Sequence, residues 1–217
     1  MQFMSLQRKV NLVYADMVYE DTDFSWVDAS VNTLVYGGIF MVQTDYHTVA
    51  QMKLYLDNYG LTFVNWCIYK QEWGGISRRY FPRKHDDILI YCKGEDYKFH
   101  PERIMIPKVT AGTALDKNGG LKIPCDVFDD LGNFMTTSPE RVKVDGKNVQ
   151  WQKPLKLMNR LLLPFTDPGD IVLDPFMGWG STGVWCIQNG REFIGVEKEE
   201  FVFNKAKERL EKEQEKK

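Results

Sequence analysis

The stretch that decides the fold is Ile171-Val172-Leu173-Asp174-Pro175-Phe176-Met177-Gly178-Trp179-Gly180-Ser181-Thr182-Gly183. A short apolar run ends in a carboxylate, a glycine turn follows, and a helix pattern begins. Glycines let the backbone turn tightly and come close to a ligand. The helix start then presents free N–H groups and the positive end of its dipole to an anionic or polar group. Further on, Phe193-Ile194-Gly195-Val196-Glu197 reads as a second strand ending in a carboxylate. An acid about 20 residues beyond such a turn is placed to accept hydrogen bonds from ribose hydroxyls. Gly178, Gly180 and Gly183 also match G-x-G-x-x-G, a weak dinucleotide signal by itself. No lysine follows the glycines, which excludes a P-loop.

Outward from this unit, strand and helix patterns alternate. Strands are expected at Val10–Tyr14, Ile39–Gln43, Leu61–Tyr69, Ile88–Tyr91, Ile171–Leu173 and Phe193–Val196. Helices are expected over Phe24–Tyr36, closed by Gly37-Gly38, and over His47–Asn58, Pro154–Leu163, Thr182–Gln188 and the charged tail from Glu200. This alternation predicts an α/β fold, a mostly parallel sheet with helices on both faces. Residues 99–150, rich in Gly, Pro, Asp, Asn and Lys, lack a sustained period and read as a small irregular insertion. The chain divides accordingly into 1–98, 99–150 and 151–217.

At 217 residues the chain can bury a full core without staples. Its 43% hydrophobic and 27% charged residues exclude a disordered or fibrous protein. No apolar run approaches a membrane span, and no basic-then-apolar leader is read at the start, so a cytoplasmic protein is expected. A net charge of −2 excludes a uniformly basic nucleic-acid coat but not a local grip. Cys67, Cys92, Cys125 and Cys186 are scattered, and with His47, His85 and His100 they form no zinc spacing. They read as reduced structural thiols, and no metal is expected.

Asp174-Pro-Phe-Met-Gly-Trp-Gly-Ser-Thr-Gly183, preceded by Lys153-Pro154 and followed by Gly190-Arg-Glu-Phe-Ile-Gly-Val-Glu197, resembles the S-adenosylmethionine motif of the amino-group DNA methyltransferases. These modify adenine N6 or cytosine N4. Asp16-Met17-Val18-Tyr19, after the apolar Leu12-Val-Tyr-Ala, occupies the place of the family's catalytic Asp-Pro-Pro-Tyr. Trp66–Lys70 and Arg79–Ile90 are similar to the segment flanking its target-base pocket. The catalytic motif precedes the cofactor motif, the circularly permuted order of the family's beta class. The likeness covers residues 10–98 and 150–210 and implies a Rossmann-like methyltransferase fold.

It further implies that Asp16, Met17, Val18 and Tyr19 are catalytic. Asp16, Lys153, Pro154, Asp174, Pro175, Phe176, Met177, Gly178, Gly180, Ser181, Thr182, Glu197 and Lys198 would bind S-adenosyl-L-methionine. In chemical terms, an exocyclic amine is a poor nucleophile until acceptors hold its N–H bonds and aim its lone pair. The Asp16 carboxylate and the Met17 carbonyl can supply two acceptors, and Tyr19 can stack on an extruded base. By the resemblance, Asp rather than Ser at the first position favours adenine. Trp73, Arg78, Arg79, Arg83, Lys84 and His85 form an aromatic and basic cluster read as DNA-binding. The partner expected is DNA, double-stranded or single-stranded, in a bacterial cell or a phage host.

Three departures stand out. Met17-Val18 replaces two prolines, which suggests a looser pocket and a slow enzyme. Trp151 stands where the family often has Thr. The strand that commonly precedes the catalytic one is not evident before Val10, which suggests an open sheet edge and a homodimer. Other readings are a cytosine-N4 or RNA amino-methyltransferase, a weakly active nucleic-acid-binding subunit keeping its cofactor site, and a nicotinamide oxidoreductase. The last fits least, because too little chain follows the glycine loop to build a second mononucleotide half.

Overall fold

The computed structural model describes residues 8–19, 21–71, 76–114, 116 and 119–216. Strand β1 (Val10–Asp16) is followed by α1 (Ser25–Thr33), β2 (Leu34–Thr44), α2 (Val49–Asn58), β3 (Thr62–Lys70) and β4 (His85–Cys92). Five two-residue strands follow: β5 (Ile106–Pro107), β6 (Leu121–Lys122), β7 (Val127–Phe128), β8 (Lys143–Val144) and β9 (Lys147–Asn148). The chain closes with α3 (Leu155–Leu162), β10 (Ile171–Asp174), α4 (Ser181–Asn189), β11 (Glu192–Gly195) and α5 (Glu200–Gln214).

Seven strands form one sheet in the order β11-β10-β1-β2-β4-β3-β7. The four from β11 to β2 run parallel, β4 is antiparallel to both β2 and β3, and β7 lies parallel to β3. Alternation along the strands sorts side chains to two faces. Leu12, Tyr14, Ile39 and Met41 pack with Leu157, Leu161 and Trp185 of α3 and α4. Val13, Ala15, Phe40 and Val42 pack with Val27, Val31, Met52 and Leu56 of α1 and α2. The expected layering, helices on both faces of a mostly parallel sheet, is what the chain adopts.

One element differs from its sequence reading. The helix expected over Phe24–Tyr36 stops at Thr33, and β2 begins at Leu34 and runs through Gly37-Gly38. Those glycines make a bulge and not a helix stop, since the β1–β2 register jumps between Val10↔Leu34 and Leu12↔Ile39. At Gly37, φ is +78° and a Cβ would come within 2.3 Å of the Asp96 carbonyl. The strand therefore passes the 93–96 turn with only backbone between them.

The described residues between 99 and 150 are mostly irregular, with two short antiparallel pairs, β5–β6 and β8–β9. They are tied to the core at α3. Arg160 grips Asp130 through two hydrogen bonds of 3.1 and 2.7 Å, and the Glu140 carboxylate accepts from the Leu155 N–H at the start of the helix. The insertion also donates β7 to the edge of the main sheet.

Candidate active site

In a parallel sheet, ligands sit beyond the carboxyl ends of the strands, where the order reverses. Here β1 and β10 are paired neighbours, and their last residues are Asp16 and Asp174. Both line one cleft of about 1520 Å³, larger than the ~300–1,000 Å³ of a usual single-ligand site.

The glycine loop forms one wall. Asp174 is buried, with one oxygen accepting from the Thr182 hydroxyl at 2.6 Å and the other from the Phe176 N–H at 3.0 Å. Burial pushes its carboxyl up to about 7. The two hydrogen bonds work against this, and Asp16 and Glu197 reinforce it. Gly180, with φ +76°, caps α4 and brings its backbone against Ala206 of α5. At Gly183 a Cβ would meet Phe193 and Leu210 at 2.6–2.7 Å, so this glycine serves close packing of α4. Glu197, just past β11, accepts from the Gly178 N–H at 3.1 Å and the Glu199 N–H at 2.9 Å, which fixes its carboxylate over the loop. Pro175, Phe176, Met177, Gly178, Ser181, Thr182 and Lys198 line the cleft with it, while Gly180 and the buried Pro154 stand behind the wall. Pro154 starts α3, and the Ser181 hydroxyl donates to the Lys153 carbonyl at 2.9 Å, clamping that segment to the start of α4.

The opposite wall is built by charges. Lys153 Nζ lies 2.8 Å from Asp16 Oδ2, donates to the Tyr19 hydroxyl at 3.2 Å, and is 3.6 Å from Asp86 Oδ2. Burial raises the Asp16 carboxyl, Lys153 lowers it and Asp86 raises it again, leaving it above the ordinary range. Burial opposes the Lys153 charge, yet Asp16, Tyr19 and Asp86 outweigh it and leave that ammonium firmly protonated. Asp16 Oδ1 is buried without a hydrogen-bond partner. Such an oxygen is costly unless a donor arrives.

Met17 is buried among the core residues, and its N–H donates to the Gln43 carbonyl at 3.2 Å, whereas Val18 is half-exposed at the mouth. Tyr19 sits in a cage. The Arg83 guanidinium lies 4.9 Å and the Lys153 ammonium 5.5 Å from its ring centre, and Trp151 meets it edge-on at 5.9 Å. Trp151 holds a left-handed backbone, φ 62°, uncommon for an aromatic residue.

Of the cluster read as DNA-binding, Arg83, Lys84 and His85 reach the cleft, Arg78 and Arg79 are exposed beside it, and Trp73 lies outside the described residues. Arg83 is engaged inward, 3.0 Å from Asp45 and 3.2 Å from Asp86. Tyr46, Tyr80, Phe81 and Trp151 form an exposed aromatic rim around the mouth. The sequence reading passed over Gln43, Asp45 and Asp86. A signal for Asp86 existed, a carboxylate pair opening the otherwise apolar strand Asp86-Asp87-Ile-Leu-Ile. Among the described residues, no cluster of His, Cys, Asp and Glu could hold a metal, and no helix is long and apolar enough to cross a membrane.

Residues 12–208 match the profile of the N6/N4 family described as DNA methylase. The chain belongs to this DNA methylase family. It is 27% identical over 197 residues to the type II methyltransferase M1.MboII of Moraxella bovis, covering 84% of this chain and 76% of that protein. It is 29% identical to M.BamHI of Bacillus amyloliquefaciens over 82% of this chain and 43% of that one. For M.HpaI of Haemophilus parainfluenzae the identity is 27%, over 90% and 60%. This methylase chain thus spans from under half to three quarters of those relatives. A crystal structure of an M1.HpyAVI–SAM complex superposes with a TM-score of 0.68 at 25% identity, covering 94% of this chain and 90% of that one. The cytosine-N4-specific PvuII DNA methyltransferase shares the fold, with a TM-score of 0.67 at 13% identity over 96% and 86%. A Rossmann-like methyltransferase fold is therefore common ground for this DNA methylase and its neighbours.

Proposed function

We propose that this DNA methylase transfers a methyl group from S-adenosyl-L-methionine to the exocyclic amine of a DNA base turned out of its stack, with adenine N6 as the acceptor. The observation that carries this reading is the pairing of β1 with β10. Paired strands lie about 4.8 Å apart, so the acceptor group at the end of one abuts the cofactor cradle at the end of the other.

The residues fit that cofactor. Glu197, held by two backbone N–H groups beside the glycine loop, would accept from the ribose hydroxyls. The Asp174–Thr182 loop, with glycines at 178 and 180, offers close backbone approach, and Lys153 would border the methionine end. When bound, the cofactor supplies an electrophilic methyl group on a sulfonium. The chain's own contribution is orientation. Asp16 Oδ1, buried without a partner, would accept one N–H of the amine and the Met17 backbone carbonyl the other, which would aim the lone pair for transfer. Tyr19, with Arg83 and Lys153 against its ring, gives the base a surface to stack on.

Asp at position 16 supports adenine. The rim of Tyr46, Tyr80, Phe81 and Trp151 beside Arg78, Arg79 and Lys84 supports substrates with unpaired bases, since stacking platforms among cations grip single strands without reading sequence. The test is transfer of tritiated methyl groups to duplex DNA, single-stranded DNA and RNA, followed by nucleoside analysis. N6-methyladenine in DNA is expected. N4-methylcytosine, or labelled RNA alone, would overturn the acceptor assignment.

A further inference from the structure

Five charged side chains run in alternating sign along the amine side of the cleft. Asp45 Oδ2 is 3.0 Å from Arg83, Arg83 is 3.2 Å from Asp86, Asp86 is 3.6 Å from Lys153, and Lys153 is 2.8 Å from Asp16. Asp45 and Asp86 are fully buried. Buried ion pairs are poor stabilisers compared with apolar packing, so a chain of them beside a reaction site calls for a reason beyond stability.

Asp86 is the fixed point of the chain. It sits on β4 inside the sheet and accepts from Gln43 Nε2 at 2.9 Å, from Arg83, and from Gln71 Nε2. Gln43 cannot turn its amide away. Its Oε1 takes the Tyr14 hydroxyl at 2.6 Å, so its Nε2 is committed to Asp86. With three donors already, Asp86 does not need Lys153. Lys153, in contrast, would be free to bridge both oxygens of Asp16 if that carboxylate were its only anionic partner. The pull of Asp86 and the Tyr19 hydroxyl hold Nζ on the Oδ2 side, and Oδ1 is left without a partner.

We propose that Asp86 is a positioning residue for methyl transfer. It anchors Lys153 so that one oxygen of Asp16 is held by the ammonium and the other is kept for the incoming amine. The inference rests on the methyl-transfer reading above and assigns a role to a residue that touches neither substrate nor cofactor.

The test compares the parent, Asp86→Asn, Lys153→Met and the double variant. Single-turnover methyl transfer to a saturating DNA oligonucleotide is measured, with cofactor affinity by calorimetry. Acylation of Lys153 by an amine-reactive reagent is followed by peptide mass spectrometry. Asp86→Asn is expected to slow transfer by about 10–100-fold, as a small misplacement near the reacting atoms does. Its cofactor affinity stays within about threefold, and Lys153 acylation rises. Because Asp86 acts through Lys153, the double variant is expected to be no slower than Lys153→Met alone. Additive losses, unchanged transfer or unchanged acylation would each overturn the proposal. Acylation needs no turnover, so a parent that methylates nothing would refute the methyl-transfer reading while the Asp86–Lys153 linkage is still judged separately. If Asp86→Asn does not fold, Gln71→Leu loosens the same carboxylate from the end of the network. It is expected to move acylation and rate in the same directions, and no change in either would overturn the proposal.

Discussion

Asp174 and Asp16 end neighbouring strands and face one cleft, yet they are held in opposite ways. Asp174 has both oxygens satisfied by near neighbours, the Phe176 N–H and the Thr182 hydroxyl of its own loop. Asp16 has one oxygen on Lys153, from a distant part of the chain, and the other without a partner. The first arrangement suits a cradle that must be complete before its ligand comes. The second suits a group whose last hydrogen bond is to be made by the substrate. The contrast separates binding from reaction, and it can be broken one residue at a time.

The largest effect belongs to Asp16. Asp16→Ala should lower the single-turnover rate by about 10²–10³-fold, the usual loss for one preorganised group at the reacting atoms. Calorimetric affinity for S-adenosylmethionine should stay within about threefold, since an acceptor made mainly for the amine acts on rate more than on binding. A large loss of cofactor affinity would move Asp16 to the binding side of the comparison.

Glu197 should give the converse. Glu197→Ala removes the carboxylate proposed to take the ribose hydroxyls and is expected to weaken cofactor binding by about 10–100-fold. The rate at saturating cofactor should change far less. Calorimetry and single-turnover kinetics on the two variants together form a crossed pair, and parallel losses in both would erase the distinction.

How much of this was legible in the sequence follows the same line. The Asp174 cradle could be read because its parts are consecutive: strand, carboxylate, glycines, helix start and a second carboxylate. The Asp16 side was legible only in part: Asp16-Met17-Val18-Tyr19 closes a strand, and Lys153 and Arg83 stood out, but in other roles. Its supports, Gln43, Asp86 and Arg83, come from β2, β4 and the segment before β4, and no local pattern announces that a tyrosine on β1 will lock a glutamine on β2. The early end of α1 was hidden for a related reason. Gly37-Gly38 suits a helix stop as well as a strand bulge, and only the approach of Asp96 decides between them.

A third test uses pH. The Asp174 carboxyl stands at about 7 in the folded chain against 3.8 for a free one. The folded state therefore binds more protons in that window, and stability falls as pH rises from about 4 to 7, then levels. In Asp174→Asn this contribution is gone. The difference in melting temperature between parent and variant should drift against the parent across that range and be flat above it. A difference independent of pH would show that the two hydrogen bonds keep Asp174 ionised, and its cradle would then be built by charge like the Asp16 side.

The smallest effect concerns Met17-Val18, where relatives of this type commonly carry two prolines. The Met17 N–H extends the β1–β2 ladder by one bond, to the Gln43 carbonyl at 3.2 Å, and its side chain is buried in the core. Proline at 17 would remove that donor and leave the carbonyl short of a partner, a cost of about 1 kcal/mol. Val18 is half-exposed, and proline there mainly restricts the unfolded chain, worth about 0.4–1 kcal/mol if its backbone is compatible. Met17→Pro is therefore expected to lower the melting temperature and Val18→Pro to leave it level or raise it. Neither should change the single-turnover rate by more than a few-fold. The Met17 carbonyl proposed as the second acceptor survives in both variants and Asp16 keeps its charged neighbours, so stiffening the backbone beside them is expected to add little. If Val18→Pro instead raised the rate strongly, backbone freedom at 17–18 would be what limits this enzyme, and the charged wall would rank second to it.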